Sequence, residues 1–268
     1  MPEGHTLHRY ALLHHEQFAG HRVEVTSPQG RFAAEAAVVD GRVFESADAH
    51  GKHLFHHYGD VTVHVHLGLY GTFSERELPV EPPVGQVRMR LVGPAHWTDL
   101  RGPTACRLLD EPELKKLHDR LGPDPLRADA DPDRAWARIS RSRTSVAALL
   151  MDQAVLAGVG NVYRAEVLFR HHIPPLRAGK DLTRAEWETI WADLVELMTD
   201  GVRVGRIDTV RPEHLPEATG RAPRVDRHGG EVYVYRRAGL PCLVCGTPVA
   251  QSELVGRNLY WCPGCQPT

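Results

Sequence analysis

The chain has 268 residues, of which 42% are hydrophobic and 25% charged, with a net charge of −2. That length allows one large domain or two ordinary ones, and the apolar fraction supports a sizeable core, which excludes global disorder. No apolar run approaches the roughly 18 residues of a membrane-crossing helix, and the N-terminus lacks the basic and apolar regions of a secretory signal, so a cytoplasmic protein is expected.

Leu7, Ala11 and Phe18 recur at helical spacing, with Gly20 as a stop. Short β-rich runs follow near 23–25, 42–45, 52–58, 61–67 and 86–92. The third and fourth are joined only by Gly59-Asp60, a two-residue hairpin signal. A β-sandwich carrying an N-terminal helix is expected over residues 1–121. Residues 122–132, rich in Pro and Asp, read as a linker. Helical patterns then appear at 133–140, 144–152, 160–171 and 182–199. In the last, Thr183 and Glu186 form a capping box and Gly201 reads as the stop. Residues 202–230 carry six arginines and little periodicity, and read as a long mobile loop closing a helical domain of 133–230.

The overall charge argues mildly against a nucleic-acid binder, yet charge is unevenly spread. From Ser140 to Lys180 the bases are Arg141, Arg143, Arg164, Arg170, Arg177 and Lys180, against only Asp152 and Glu166. Such a strip can focus a field onto phosphate, or be an ordinary solvated face. Gly158-Val-Gly160-Asn161 precedes a helix. Asn161 is a good N-cap, and helix-start N–H groups can hold a phosphate, although a plain packing corner has the same look.

Four of the five cysteines lie in the last 27 residues. Cys242, Cys245, Cys262 and Cys265 form two Cys-x-x-Cys knuckles sixteen residues apart, the pattern of a zinc ribbon over 231–268. Four thiolates leave no open coordination position, so one structural zinc ion is expected, with Arg257 as the cation on the intervening hairpin. Cys106 reads as a buried thiol. At the other end, removal of Met1 would free the secondary amine of Pro2. Such an amine can attack an aldehyde carbon to give a cationic iminium, with Glu3 moving protons. A lone strand lysine such as Lys52 is usually just solvated.

These features occur together in one order: Met-Pro-Glu, Gly51-Lys52-His-Leu-Phe55, His66-Leu-Gly-Leu-Tyr-Gly71, Leu121-Gly-Pro-Asp-Pro-Leu126, Asp152-Gln-Ala-Val-Leu-Ala-Gly-Val-Gly-Asn161 and the four-cysteine ribbon. Across essentially its whole length the chain resembles bacterial DNA glycosylases of the formamidopyrimidine-DNA glycosylase/endonuclease VIII family, most of all the actinobacterial endonuclease VIII branch. The resemblance implies Pro2 as Schiff-base nucleophile, Glu3 as general acid and Lys52 as proton donor in β-elimination. Arg257 would hold phosphate and assist δ-elimination. Arg120 and Asn161 would grip the DNA backbone, Asn161 within a helix–two-turn–helix. Leu69, with Tyr70 beside it, would fill the gap left by a flipped base.

It further implies a base-excision-repair enzyme acting on oxidised bases in double-stranded DNA, as a monomer, without nicotinamide, flavin or catalytic metal. Thr6 stands where many members have Glu, and Gly68 where endonuclease VIII proper has Gln. Asp99-Leu-Arg101-Gly-Pro103 keeps the arginine of an Arg-plus-Phe insertion but has Pro for the Phe. Oxidised pyrimidines are therefore expected ahead of 8-oxoguanine, with Arg101 facing the unpaired base as the alternative. A non-enzymatic zinc-containing DNA-binding protein would not need Pro2, Glu3 and Lys52 together. A proline enzyme for small carbonyl compounds would not need phosphate clamps.

Overall fold

The computed structural model of the chain describes residues 2–226 and 230–267. It divides into two compact units, 1–120 and 121–268.

In the first unit α1 (Gly4–Phe18) buries Leu7, Ala11, His14 and Phe18 along one face. Then come β1 (His21–Arg22), β2 (Glu24–Thr26), α2 (Ala33–Val39), β3 (Val43–Phe44), β4 (Ser46–His50), β5 (His53–Tyr58), β6 (Val61–His66), β7 (Thr72–Glu77), β8 (Val87–Val92), β9 (His96–Arg101), β10 (Ala105–Leu109) and α3 (Glu111–Arg120). Two antiparallel four-stranded sheets form, ordered β10-β6-β5-β4 and β2-β8-β9-β7. Leu54, Val63 and Val65 of the first and Met89, Leu91 and Leu100 of the second share a core with Leu7 and Phe18. This is the expected sandwich with its N-terminal helix. The predicted hairpin is present, Tyr58 pairing with Val61 and Gly59 in left-handed backbone at φ 71°.

Sequence patterning missed α2, α3, β4, β7, β9 and β10. Of α3 only Leu117 is buried, against Phe55 and Leu109 on the outer face of β5 and β10, and the rest of the helix is mostly charged. One buried contact is too little to give a periodic signal.

The second unit contains α4 (Pro132–Ile139), α5 (Val146–Leu149), α6 (Asn161–Arg170), α7 (Arg184–Val204), α8 (Pro216–Thr219) and the hairpin β11 (Ala250–Leu254)–β12 (Arg257–Trp261). Asp131 caps α4 by accepting from the Asp133 N–H, with Pro132 at the first helical position. The Thr183–Glu186 capping box starts α7. That helix does not stop at Gly201, which is buried inside it. It ends at Gly205, whose φ of 77° supplies the left-handed cap. α5 is only four residues long, shorter than the pattern at 144–152 predicted.

Two further expectations are corrected. Of the expected linker 122–132, residues 122–125 do not hang free but are buried, while 126–131 are part-buried or exposed and Pro132 begins α4. The Gly122 N–H donates to the Gln153 carbonyl (2.9 Å), and the Ala157 N–H to that of Pro123 (3.0 Å). A Cβ on Gly122 would lie 2.4 Å from the Val155 carbonyl oxygen, so only glycine permits this approach. Residues 202–226 are not a featureless loop either. They contain a 3₁₀ turn at Pro212–His214 and α8, and Arg221 and Arg224 both bond to Glu231. Residues 227–229 of the expected loop lie outside the described residues. One core joins Val162, Leu168, Trp187 and Leu194 to Tyr233, Val249, Leu259 and Cys262, so the helices and the cysteine hairpin pack as one body. Among the described residues no helix is long and apolar enough to cross a membrane.

Candidate functional site

Pro2 is half-buried and leads directly into α1. Glu3 occupies the N-cap position in extended backbone (φ −118°, ψ −176°) and is fully buried, yet its side chain does not cap the helix. The backbone thus buries a carboxylate one residue from the proline without using it for the helix end. Lys52 does not open a strand. It sits with Gly51 (φ 60°) in the two-residue turn between β4 and β5.

Past the end of β6, Leu67 is buried while Leu69 and Tyr70 are 45% and 86% exposed. The turn is closed by the Gly71 N–H bonding to the Leu67 carbonyl (3.0 Å). Gly68 has φ 67°, and a Cβ there would come within 1.9 Å of the Thr104 hydroxyl oxygen. The glutamine expected at this place in endonuclease VIII proper cannot be accommodated unless Thr104 moves. The turn therefore presents two apolar side chains to solvent on a rigid base.

Arg101 is partly buried. Its Nε donates to the Val84 carbonyl (2.9 Å), Nη1 to the Ser74 hydroxyl (2.8 Å) and Nη2 to the buried Asp99 carboxylate (2.8 Å). Asp99 also takes a bidentate pair from Arg90 at 2.7 and 2.9 Å. Three of the five N–H donors of Arg101 are thus committed within the sheet, which counts against the expected role opposite an unpaired base. Pro103 is buried as well. Arg120, in contrast, is exposed at the end of α3.

A histidine cluster that sequence reasoning overlooked lies on the outer face of β4, β5 and β6. His53 Nδ1 and His64 Nε2 are 2.8 Å apart, and the His53 and His66 rings lie 4.9 Å apart. His50 and His118 pair at 2.9 Å. Burial and neighbouring cations lower His53 to about 2 and His64 to about 4. Burial, then the charge of Lys52, lowers His66. On the inner face His14 bridges His56 (2.9 Å) and Glu75 (3.0 Å), and burial holds His56 well below its ordinary value. Seventeen histidines in the chain were the available signal.

In the second unit Asn161 is the first residue of α6, and the N-cap is Gly160, not Asn161 as expected. Asn161 is buried. Its Nδ2 donates to the Asn258 carbonyl (2.9 Å) and its Oδ1 accepts from Arg164, which is itself fully buried. The helix start is thus tied to the beginning of β12, beside the turn of the β11–β12 hairpin, and Arg257 is exposed next to that turn.

Glu166, a buried carboxylate on α6, was also missed. It accepts from the backbone N–H groups of Tyr233 (2.7 Å), Val234 (2.9 Å) and Tyr235 (2.8 Å), and from the Thr209 hydroxyl (2.6 Å). A glutamate inside an apolar helix gives no sequence hint of partners some 67 residues away.

The sulfur atoms of Cys242, Cys245, Cys262 and Cys265 all lie within 4.8 Å of one another. Cys242–Cys265 and Cys245–Cys262 are 3.8 and 3.5 Å apart. A tetrahedron with Zn–S bonds of about 2.3 Å has edges of about 3.8 Å, so the cluster fits one zinc ion. Hydrogen bonds from Thr247 lower Cys245 to about 6, whereas burial raises Cys262 and Cys265. A cation bound to all four sulfurs is what makes a set of thiolates tolerable there. The metal is structural, since no coordination position stays open. Cys245→Ser should cut zinc content, measured by a chromophoric chelator, from one equivalent to well below one, and lower the melting temperature. Full zinc retention would contradict the four-sulfur site.

Three family models match the chain: the formamidopyrimidine-DNA glycosylase N-terminal domain over residues 1–106, the formamidopyrimidine-DNA glycosylase H2TH domain over 121–212, and a zinc finger found in FPG and IleRS over 239–268. Endonuclease 8 1 of Mycobacterium tuberculosis is 56% identical over 274 residues, covering 99% of this chain and 100% of the relative. The formamidopyrimidine-DNA glycosylase of Thermomicrobium roseum is 34% identical, covering 76% of this chain and 67% of its own. Among solved structures, the MutM (FPG) protein of Thermus thermophilus matches with a TM-score of 0.77 at 28% identity, over 99% of this chain and 98% of that one. The Lactococcus lactis Fpg, solved with DNA containing an abasic site, matches the fold with a TM-score of 0.79 at 18% identity over 99% of this chain and 100% of that one. The chain belongs to the formamidopyrimidine-DNA glycosylase/endonuclease VIII family.

Proposed function

We propose that the protein is a bifunctional DNA glycosylase and abasic-site lyase of base excision repair, acting in the cytoplasm on double-stranded DNA and preferring oxidised pyrimidines. The observation that carries this reading is 56% identity to an endonuclease 8 over nearly the whole chain. The burial of Glu3 next to Pro2 supports the assignment of the reacting groups.

In this reading, loss of Met1 frees the Pro2 amine, which attacks C1′ of the damaged nucleotide. The bond from C1′ to the base breaks and the base leaves with a proton that Glu3 delivers; the nitrogen then gives up its proton, the C1′–O4′ bond opens with O4′ taking a proton, and a ring-opened iminium remains. Removal of a C2′ proton then expels the 3′ phosphate, with Lys52 supplying protons. Removal of a C4′ proton expels the 5′ phosphate, and water releases the proline. Leu69, aided by Tyr70, fills the space of the flipped base. Arg120, Asn161 and Arg257 serve the DNA backbone, which fixes position without reading sequence. Asn161 acts through its tie to the hairpin, since its Nδ2 is committed to Asn258. The pyrimidine preference is supported by the commitment of Arg101 to Asp99, Ser74 and Val84.

The test is borohydride trapping on duplexes that differ only in thymine glycol, dihydrouracil, 8-oxoguanine or an abasic site. Reduction should join protein to DNA, faster on the pyrimidine lesions than on 8-oxoguanine opposite cytosine. A tag that leaves Pro2 internal should abolish trapping on every substrate. Undiminished trapping by the tagged chain would remove Pro2 from the mechanism, and faster excision of 8-oxoguanine would overturn the preference.

A further inference from the structure

Three residues other than glycine have positive φ among the described residues: His172 (57°), Arg236 (54°) and Val255 (51°). Two of them recover the cost locally. His172 donates through Nδ1 to the Cys265 carbonyl (3.0 Å), and Arg236 lies over the Tyr235 ring at 5.6 Å and faces Asp226 at 3.9 Å. Val255 is different. It is β-branched, for which left-handed backbone is a true outlier. It is also 77% exposed, so packing returns little.

Val255 and Gly256 (φ 65°) form the two-residue turn of the β11–β12 hairpin, closed by the Leu254–Arg257 pair. Positive φ at both positions is the turn that Asn-Gly satisfies without strain. The neighbouring strand is held firmly, because the Asn258 carbonyl accepts from Asn161 (2.9 Å) and Arg164 (3.3 Å). The hairpin therefore presents a strained apolar side chain two residues from an exposed cation, on a fixed base. Strain kept where an unstrained residue would serve points to a use outside the free protein.

We propose that Val255 is a DNA-contact residue that packs on a deoxyribose beside the phosphate held by Arg257. This rests on the DNA-processing reading above. A sugar edge is the apolar surface that DNA offers next to each phosphate, so one tight turn meets both with one valine and one arginine. The contact is apolar and independent of base identity, so it adds affinity without adding salt dependence.

The experiment is titration of a duplex carrying a non-cleavable tetrahydrofuran abasic analogue, followed by fluorescence anisotropy at several salt concentrations. Val255→Asn suits the turn, and should keep one zinc per chain and melt no lower than the wild type. It should nevertheless bind about five- to tenfold more weakly, the loss expected for one partly buried aliphatic side chain. Its slope of log affinity against log salt should match the wild type. Arg257→Ala should lower that slope by about one unit. Val255→Ile retains strain and apolar surface and should bind like the wild type. Wild-type affinity in Val255→Asn, with Arg257→Ala impaired, would overturn the proposal and leave the DNA-processing reading standing. Failure of the wild-type chain to bind the duplex would overturn both.

Discussion

Acidification from pH 7.5 to 5 should lower the melting temperature of the protein steeply. In the folded chain His5 is lowered to about 3 and His64 to about 4, each chiefly by burial, and His56 lies well below its ordinary value for the same reason. All three are buried. Their pKa values are depressed on folding, so they are neutral in the native state, while the unfolded chain binds protons near pH 6.5. The stability they contribute is complete above that value and is lost as pH falls from about 6.5 towards the folded values. At pH 5 the loss is about 2 kcal/mol each for His5 and His64, against a total stability of about 5–15 kcal/mol, and His56 adds in the same direction. His53 and His66, which are less buried, add in the same direction. Thermal melts at pH 7.5, 6 and 5 check this, with zinc release followed in parallel to separate acid loss of the metal. The paired variant His53→Gln, His64→Gln should flatten the dependence. A melting temperature unchanged down to pH 5 would show that these rings are not held neutral.

Glu166→Ala should destabilise the second unit by about 3–5 kcal/mol, the range for removing one partner of a buried charged network. One carboxylate satisfies three successive backbone N–H groups and the Thr209 hydroxyl, all on buried residues. Residues 233–235 connect the stretch ending at Glu231 to the cysteine hairpin, so their release should also loosen the approach to the zinc site. Glu166→Gln keeps the shape but trades an acceptor for a donor that faces other donors, and should recover only part of the loss. Denaturant unfolding of the three proteins measures it. A change below about 1 kcal/mol in Glu166→Ala would mean that the network contributes little net stability.

Local chemistry written in the sequence determined a good deal. The zinc ribbon follows from ligand type and spacing, because two thiolates on each of two tight turns can share one ion. The helix at Gly4–Phe18, the hairpin at Gly59-Asp60 and the capping box at Thr183–Glu186 each depend on residues within one turn of one another. The ordered motifs pointed to the family, and with it to Pro2, Glu3 and Lys52.

What the sequence could not decide lies in contacts between distant segments. Arg101 looked available until Asp99, Ser74 and the Val84 carbonyl, brought together by the pairing of β7, β8 and β9 and by the chain leading into β8, took its donors. Gly201 is an ordinary helix stop locally, but α7 runs through it because that position is buried and Gly205 supplies the left-handed cap. Residues 122–125 carry linker composition yet are buried, since Gly122 allows the chain to approach Val155. Glu166 and the histidines acquire their meaning only when the fold removes water from around them. A buried carboxylate needs donors and a buried imidazole must stay neutral, and which side chains are buried is a property of the packed tertiary structure, not of any local pattern.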